Sequence, residues 1–184
     1  MRRRALNATA LVLSLSACGD EGGDEGPPTA PPCADNGAFV DLDLAGAAER
    51  SVRWDAANLL ECHGGTVQSA SLQFNAGPGA PKGDLSVRLA TQQEVAVGAD
   101  LAASVSLDLE SPDLLVRWNQ GCVAQITAVA DVVRVVASDS FLGVWSVYDG
   151  SVRCDVPVTA LLSSDAYTLP RADFRGLFYR LEAR

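Results

Sequence analysis

From Phe39 onward, apolar residues return at every second position. In "FVDLDLA" Val40, Leu42 and Leu44 alternate with Asp41 and Asp43, and in "DLSVRLA" Leu85, Val87 and Leu89 alternate with Ser86 and Arg88. "ASVSLDL" repeats the pattern at Val105, Leu107 and Leu109, and "VRCDVPV" repeats it at Val152, Cys154, Val156 and Val158. A helix would bring its apolar residues back every third or fourth position, whereas a period of two describes a strand with one face on a core and one in water. The runs "VQSASLQF", "LLVRW", "CVAQITAVA", "VVRVVA" and "FLGVWSVY" add the β-branched and aromatic residues that pack well on a pleated surface. Turn-forming clusters fall between them: "NAGPGAPKGD" at 75–84, "ESPD" at 110–113, "NQG" at 119–121 and "YDGS" at 148–151. Asp149-Gly150 is read as a type I′ hairpin turn, because that pair accepts positive φ. Pro157 lacks a ladder donor and is expected at a sheet edge. Many short strands with regular turns predict an all-β fold, an antiparallel β-sandwich or flattened barrel.

Two segments read less simply. "AGAAERSVRWDAANLLECHGG" (45–65) is expected to hold one short helix near 55–63, with Asp55 as N-cap and Gly64 or Gly65 ending it. "ADFRGLFYRLEAR" (172–184) carries apolar residues on both parities and is read as a final strand buried on both faces. The three tryptophans lie on or beside expected strands and are assigned to the core.

The start of the chain follows other rules. Met1-Arg2-Arg3-Arg4 supplies a positive charge, and Ala5 to Ala17 is mostly apolar but too short for a bilayer core, which needs about 20 residues. This is the layout of a secretory signal closed by small residues. Leu15-Ser16-Ala17-Cys18 resembles the lipobox of bacterial lipoproteins. The resemblance covers residues 1–18. It implies cleavage before Cys18 and acylation of that cysteine, with more than one acyl chain for firm anchoring. Gly19, not Asp, follows Cys18, which favours the outer membrane where a cell has two. Residues 19–32, "GDEGGDEGPPTAPP", have no aliphatic side chain larger than alanine and cannot bury enough surface to order themselves. The chain therefore divides into a signal (1–17), a lipidated cysteine with an acidic, proline-rich tether (18–32), and one domain (33–184). A weaker resemblance, on Gly121, Cys122, Ile126, Thr127 and Cys154, is to small β-sandwich domains of other bacterial lipoproteins.

Charge narrows the partners. The chain has 14 basic and 23 acidic residues, so losing Arg2, Arg3 and Arg4 takes its formal charge from −9 to −12. An acidic chain is a poor ligand for nucleic-acid phosphates, and no nucleic-acid partner is expected. Beyond Cys18 the cysteines are Cys33, Cys62, Cys122 and Cys154, an even number that suits disulfides in an exported protein. Three pairings are open; sequential closure, Cys33–Cys62 and Cys122–Cys154, is the simplest. Their wide spacing and the single histidine argue against zinc.

Candidate chemistry is sparse. Cys62-His63 are neighbours, and a thiol–imidazole nucleophile would need them within hydrogen-bond reach, which adjacent residues on a strand do not achieve. His63 is read as a surface loop residue. Ser146 in "GVWSV" lacks the sharp turn of a nucleophile elbow. Carboxylate catalysis could draw on Asp41, Asp43, Asp84, Asp108, Glu110 and Asp113, but the i, i+2 pairs Asp41/Asp43 and Asp108/Glu110 fall on solvent faces of expected strands. "ESPD" and "NAGPGAPKGD" offer oxygens to calcium without matching an EF-hand loop. No catalytic residue, metal or cofactor is assigned. The expectation is a membrane-anchored, non-enzymatic binding or structural module of the cell envelope, partnered with the membrane through its lipid and with an envelope protein or glycan. The alternatives are an inhibitor or immunity-type lipoprotein and an envelope hydrolase.

Overall fold

A computed structural model describes residues 29–65, 70–90, 95–110, 113–138 and 140–183. The signal segment, Cys18 and most of the tether lie outside the described residues. A 3₁₀ turn at Ala34–Asn36 precedes ten strands: β1 Phe39–Gly46, β2 Arg50–Asp55, β3 Leu59–Glu61, β4 His63–Gly64, β5 Ser71–Ala76, β6 Gly83–Leu89, β7 Asp100–Glu110, β8 Asp113–Ser138, β9 Phe141–Thr159 and β10 Ala166–Ala183. They form one sheet in the order β2-β1-β10-β4-β5-β6-β7-β8-β9. β9 also pairs antiparallel with β10 along its whole length, so the ladder from β10 round to β9 closes on itself. This is the flattened-barrel form of the expected all-β fold. β10 is its hub. One edge of β10 meets β9, and the other meets β1 as far as Arg175 and then β4 at Leu177 and Phe178. The β4 contact is parallel; the other pairings among the described residues are antiparallel.

The alternation seen in the sequence is the burial pattern. β6 buries Gly83, Leu85, Val87 and Leu89 and leaves Asp84 and Arg88 in solvent. β7 buries Val105, Leu107 and Leu109. These side chains pack with fully buried Trp54, Phe74, Trp118 and Phe174 in one core. Each large apolar side chain so buried contributes roughly 1.5–3 kcal/mol. Trp54 Nε1 donates to the Pro81 carbonyl at 2.7 Å, pinning the β5–β6 connection that "NAGPGAPKGD" marks. The disulfides are Cys33–Cys62 and Cys122–Cys154, with Cα separations of 5.8 and 4.1 Å. The second joins directly opposed residues of β8 and β9.

Three local expectations fail for physical reasons. No helix forms near 55–63. Asp55 instead ends β2 opposite Phe39, Asn58 N donates to the Asp55 carbonyl in a turn, and Leu59–Glu61 pairs with β5. A helix of two turns is marginal alone, whereas the extended path pairs the backbone and carries Cys62 to Cys33. "YDGS" is not a hairpin. Asp149 and Gly150 lie mid-strand in β9, Gly150 is absent from the positive-φ glycines, and Asp149 takes a two-pronged hydrogen bond from Arg175, at 2.6 and 2.9 Å. "NQG" does not end a strand either. It is an irregularity within β8, where Gly121 at φ +75° lets the chain bulge beside Val156. Consequently "LLVRW", "CVAQITAVA" and "VVRVVA" merge into one 26-residue strand. The end of the expected tether is also drawn in: Ala30 packs against the core, and Asn36 Nδ2 donates to the Pro32 carbonyl. Pro157 meets its expectation, because the pairing of β8 with β9 stops at Cys154.

Candidate functional site

β8, β9 and β10 run on together beyond the rest of the barrel, and there the two faces of the sheet exchange character. Directly opposed residues share a face, so pairing defines rows across the three strands. In the barrel, the inner rows are Ala124–Val152–Ala172 and Ile126–Gly150–Phe174, and the outer rows are Gln125–Ser151–Asp173 and Ala128–Asp149–Arg175. That is the ordinary sense, apolar inside and polar outside. Beyond the row Val129–Tyr148–Gly176 the sense inverts. The inner rows become Asp131–Ser146–Phe178, Arg134–Val144–Arg180 and Val136–Leu142–Glu182. The outer rows become Ala130–Val147–Leu177, Val133–Trp145–Tyr179 and Val135–Gly143–Leu181, with Phe141 at the tip.

The inner face of this ribbon is a closed polar network. Ser146, the one buried polar residue in the core inventory of the described residues, donates its hydroxyl to Asp131 Oδ1 at 2.7 Å and accepts from Arg180 Nη1. Arg180 Nη2 reaches Asp131 at 2.9 Å and Glu182 at 2.8 Å, and Arg180 Nε adds a second bond to Glu182 at 3.1 Å. Arg134 closes the set on Asp131 Oδ2 at 2.6 Å and lies 3.6 Å from Glu182. The hydrogen bond from Arg134, then that from Ser146, holds the Asp131 carboxyl down at about 2 against some opposing desolvation. Such a carboxylate is a weak base, and the Ser146 hydroxyl is already spent on two partners. Two acids and two arginines cancel, so the network is neutral. It specifies the packing of three long strands rather than offering an open reaction centre.

The outer face is apolar and incompletely covered. Trp145 is buried and packs against Tyr179 at a centroid distance of 5.1 Å and edge-on to His63 at 6.3 Å. Gly143 is bare because the Tyr179 ring lies where a Cβ would be. Around them Val133 is 38% exposed, Leu181 40% and Phe141 45%, values too high for positions that alternate inside a finished sheet. Trp145 Nε1 is buried and finds no acceptor among the described residues.

The residues singled out from sequence are scattered. His63 is not a free loop residue; it forms β4 opposite Leu177 and is half-buried against Trp145. Cys62 is bridged, which removes the thiol a Cys62–His63 nucleophile would need. Ser146 and His63 lie on opposite faces of β9 and do not meet. Asp41 faces Arg53 at 3.6 Å, Asp43 accepts from Ser51 at 2.6 Å, Asp84 accepts from Asn75, and Glu110 lies 3.6 Å from Lys82. Asp84 and Asp108 are opposed across β6 and β7 on the solvent side, and the Asp113 side chain is outside the described residues. Among the described residues, no three acid, histidine or cysteine side chains are grouped to hold a metal, and no helix is long and apolar enough to cross a membrane. A shallow pocket of about 290 Å³ beside the β8 bulge is lined by Arg88, Ser104, Asn119 and Gln120 among others, without an acid.

No family model, curated protein or solved structure matches the chain. Sequence reasoning missed the ribbon because it read "FLGVWSVY" as one more strand, with its tryptophan in the core, and "ADFRGLFYRLEAR" as a strand buried on both faces. The available signal was the slip in parity within "DFRGLFYRL", from Phe174 to Leu177, Tyr179 and Leu181.

Proposed function

We propose that the chain is a lipid-anchored binding module of the bacterial cell envelope, non-enzymatic, held through Cys18 and acting through a surface. The membrane is its first partner, the outer membrane where a cell has two, and an envelope protein or glycan is the second. The lipobox resemblance and the acidic tether support the anchor. The observation that carries the binding reading is the exchanged faces of the β8–β9–β10 ribbon. A strand set that only completed a soluble barrel would keep Val133, Phe141 and Leu181 inside and Arg180 and Glu182 outside. Here Val133, Phe141 and Leu181 are presented on the outer face, and the charges are satisfied among themselves on the other, beside an exposed Val136. Partially exposed apolar side chains grouped on one face mark contact surfaces.

The test of the anchor is direct. The chain is produced with its own first 17 residues in a bacterial host, and the N-terminal peptide of the mature protein is weighed. Acylated Cys18 at the new N-terminus is expected, and Cys18→Ser is expected to leave the detergent phase for the aqueous phase. An unmodified Cys18 in a processed or unprocessed chain refutes the anchor.

A further inference from the structure

We propose that the outer face of the β8–β9–β10 ribbon rests on the lipid surface to which the chain is anchored, so that anchor and face together set the orientation of the domain. This rests on the lipid-anchor reading above. Three observations point to lipid as the occupant. The first is composition. From the row Ala130–Val147–Leu177 out to Phe141, no outer position among the described residues carries a charge; Asp139, two residues before Phe141, lies outside them. Of the acidic outer side chains, Asp149 is paired with Arg175 at 2.6 Å, and Asp41 and Asp173 lie farther back along the strands, Asp173 eight residues before Leu181 on β10, or roughly 26 Å. Contact with a surface is thus confined to the tip, and the acidic body stands clear of anionic headgroups.

The second is where the chain leaves the domain. Cys33 is bridged to Cys62, whose carbonyl accepts from Leu177 N at 2.7 Å, on the first apolar row. The next residue, His63, sits edge-on to Trp145 within that face. The root of the tether is therefore at the border of the apolar face. Ala30 packs on the core, which leaves the ten residues from Gly19 to Pro28 as the span from Cys18, and a flexible chain of that length would reach roughly 17 Å root-mean-square. Lipid on Cys18 would hold the bilayer at high effective concentration beside this face, where even a weak apolar contact is occupied.

The third concerns the alternative of pairing with another chain. β8, whose other edge is paired with no strand beyond Gln125 among the described residues, carries irregularities in its ladder with β9 at 126/128, 131/133 and 136/138. Bulges twist an edge away from strand addition, leaving contact through the face. Tyr179 and Trp145 are of the type enriched where apolar meets wet.

The experiment uses the processed, acylated chain in phosphatidylcholine vesicles with and without brominated acyl chains. A tryptophan is placed at the tip by Phe141→Trp or at the far end by Leu162→Trp, a residue 64% exposed in the β9–β10 connection. The proposal expects the added emission at 141 to shift to the blue and to lose most of its intensity to brominated lipid, while that at 162 stays unquenched. Adding Leu181→Asp is expected to restore the emission at 141 with the anchor intact. Amide exchange over 141–145 and 179–183, slowed by vesicles in the unsubstituted chain, gives the same answer should either tryptophan variant fold poorly. Acylated, vesicle-bound protein with 141 unquenched and exchange unchanged overturns the lipid contact and leaves the anchor standing. Unmodified Cys18 overturns the anchor reading and this one with it. Protection of 141 that depends on protein concentration without vesicles assigns the face to a second copy and overturns the lipid occupant.

Discussion

Gly150 separates two accounts of β9. If Asp149-Gly150 made a type I′ turn, the glycine would be there for positive φ. Asparagine, the other residue that tolerates that region, would then substitute better than alanine. In the structure Gly150 is mid-strand and buried, opposed to Ile126 on one side and Phe174 on the other. An added Cβ would meet Phe174 Cζ at 2.8 Å, the Gln125 carbonyl oxygen at 2.9 Å and Ile126 Cδ1 at 2.9 Å. One of the three is backbone, so it yields only if β8 and β9 separate, and the other two belong to packed core side chains. Overpacking of this kind costs about 1–3 kcal/mol, and the rigid carbonyl puts Gly150→Ala near 3. For a domain of this size, 1 kcal/mol moves Tm by about 2–4 °C, so a fall of roughly 6–12 °C is expected, with a matching drop in urea midpoint at unchanged m. Gly150→Asn, bulkier and polar among Phe174 and Ile126, should be worse than alanine. The reasoning is refuted if Gly150→Asn is as stable as the parent while Gly150→Ala loses about 1 kcal/mol or less, which is the order a turn would give.

Asp131→Asn should lower stability at neutral pH by about 1 kcal/mol, read from paired urea titrations. The drop of Asp131 from 3.8 to about 2 sets a ceiling near 2.4 kcal/mol, and solvent around a side chain 30% exposed reduces it. The folded value lies below the ordinary one, so this contribution is complete above about pH 4 and fades as pH falls toward 2; parent and variant should converge there, and a gap that persists at low pH contradicts the assignment. Cys122→Ala with Cys154→Ala should cost about 3–4 kcal/mol for a sequence separation of 32 residues. Cys33→Ala with Cys62→Ala should cost a similar amount and also speed amide exchange at Leu177, which hydrogen-bonds the Cys62 carbonyl; unchanged exchange there would show that the bridge does not fix the root of the tether.

Strands were legible wherever one face meets the core and the other meets water, because alternation then records burial directly, as in β6 and β7. Legibility failed at the glycines. Gly121 and Gly150 look alike as turn formers, yet one has positive φ inside a bulge and the other has none and serves close packing against Phe174. Local sequence cannot tell a glycine that bends the chain from one that lets a neighbour in. The expected helix near 55–63 failed for a related reason. Asp55 and the glycines at 64 and 65 have the right types for caps, but Gly64 lies against the Ser71 carbonyl and Gly65 against the backbone of Tyr179. Those close approaches between strands are made by distant residues, and nothing near 64 or 65 in the chain announces them.

The ribbon was legible only in part, and the missing part is relational. "ADFRGLFYRLEAR" does show apolar residues on both parities, which the sequence reading takes as burial on both faces. That holds at Leu177, fully buried beneath Cys62 and β4, and fails four residues later at Leu181, 40% exposed. What covers a side chain is decided by the neighbouring strand, and β4 ends after two residues. A slip of parity in a single strand can be absorbed by a bulge and mean nothing. Here β10 moves its apolar residues from the parity of Phe174 to that of Leu177, Tyr179 and Leu181 past the row Tyr148–Gly176, without an irregularity against β9 there, while β9 is apolar on both parities, with Val147 and Trp145 on one side and Val144 and Leu142 on the other. On β8 the shifts at 126/128 and 131/133 set Ala130 on the outer side and Asp131 on the inner side and then cancel, so that Val133 and Val135 keep the outward parity of Gln125. The register over three strands brings Asp131, Arg134, Arg180 and Glu182 together on one side, where they satisfy one another. The inversion is therefore a property of the pairing. It holds the apolar face outward, beside the root of the tether, whatever that face touches.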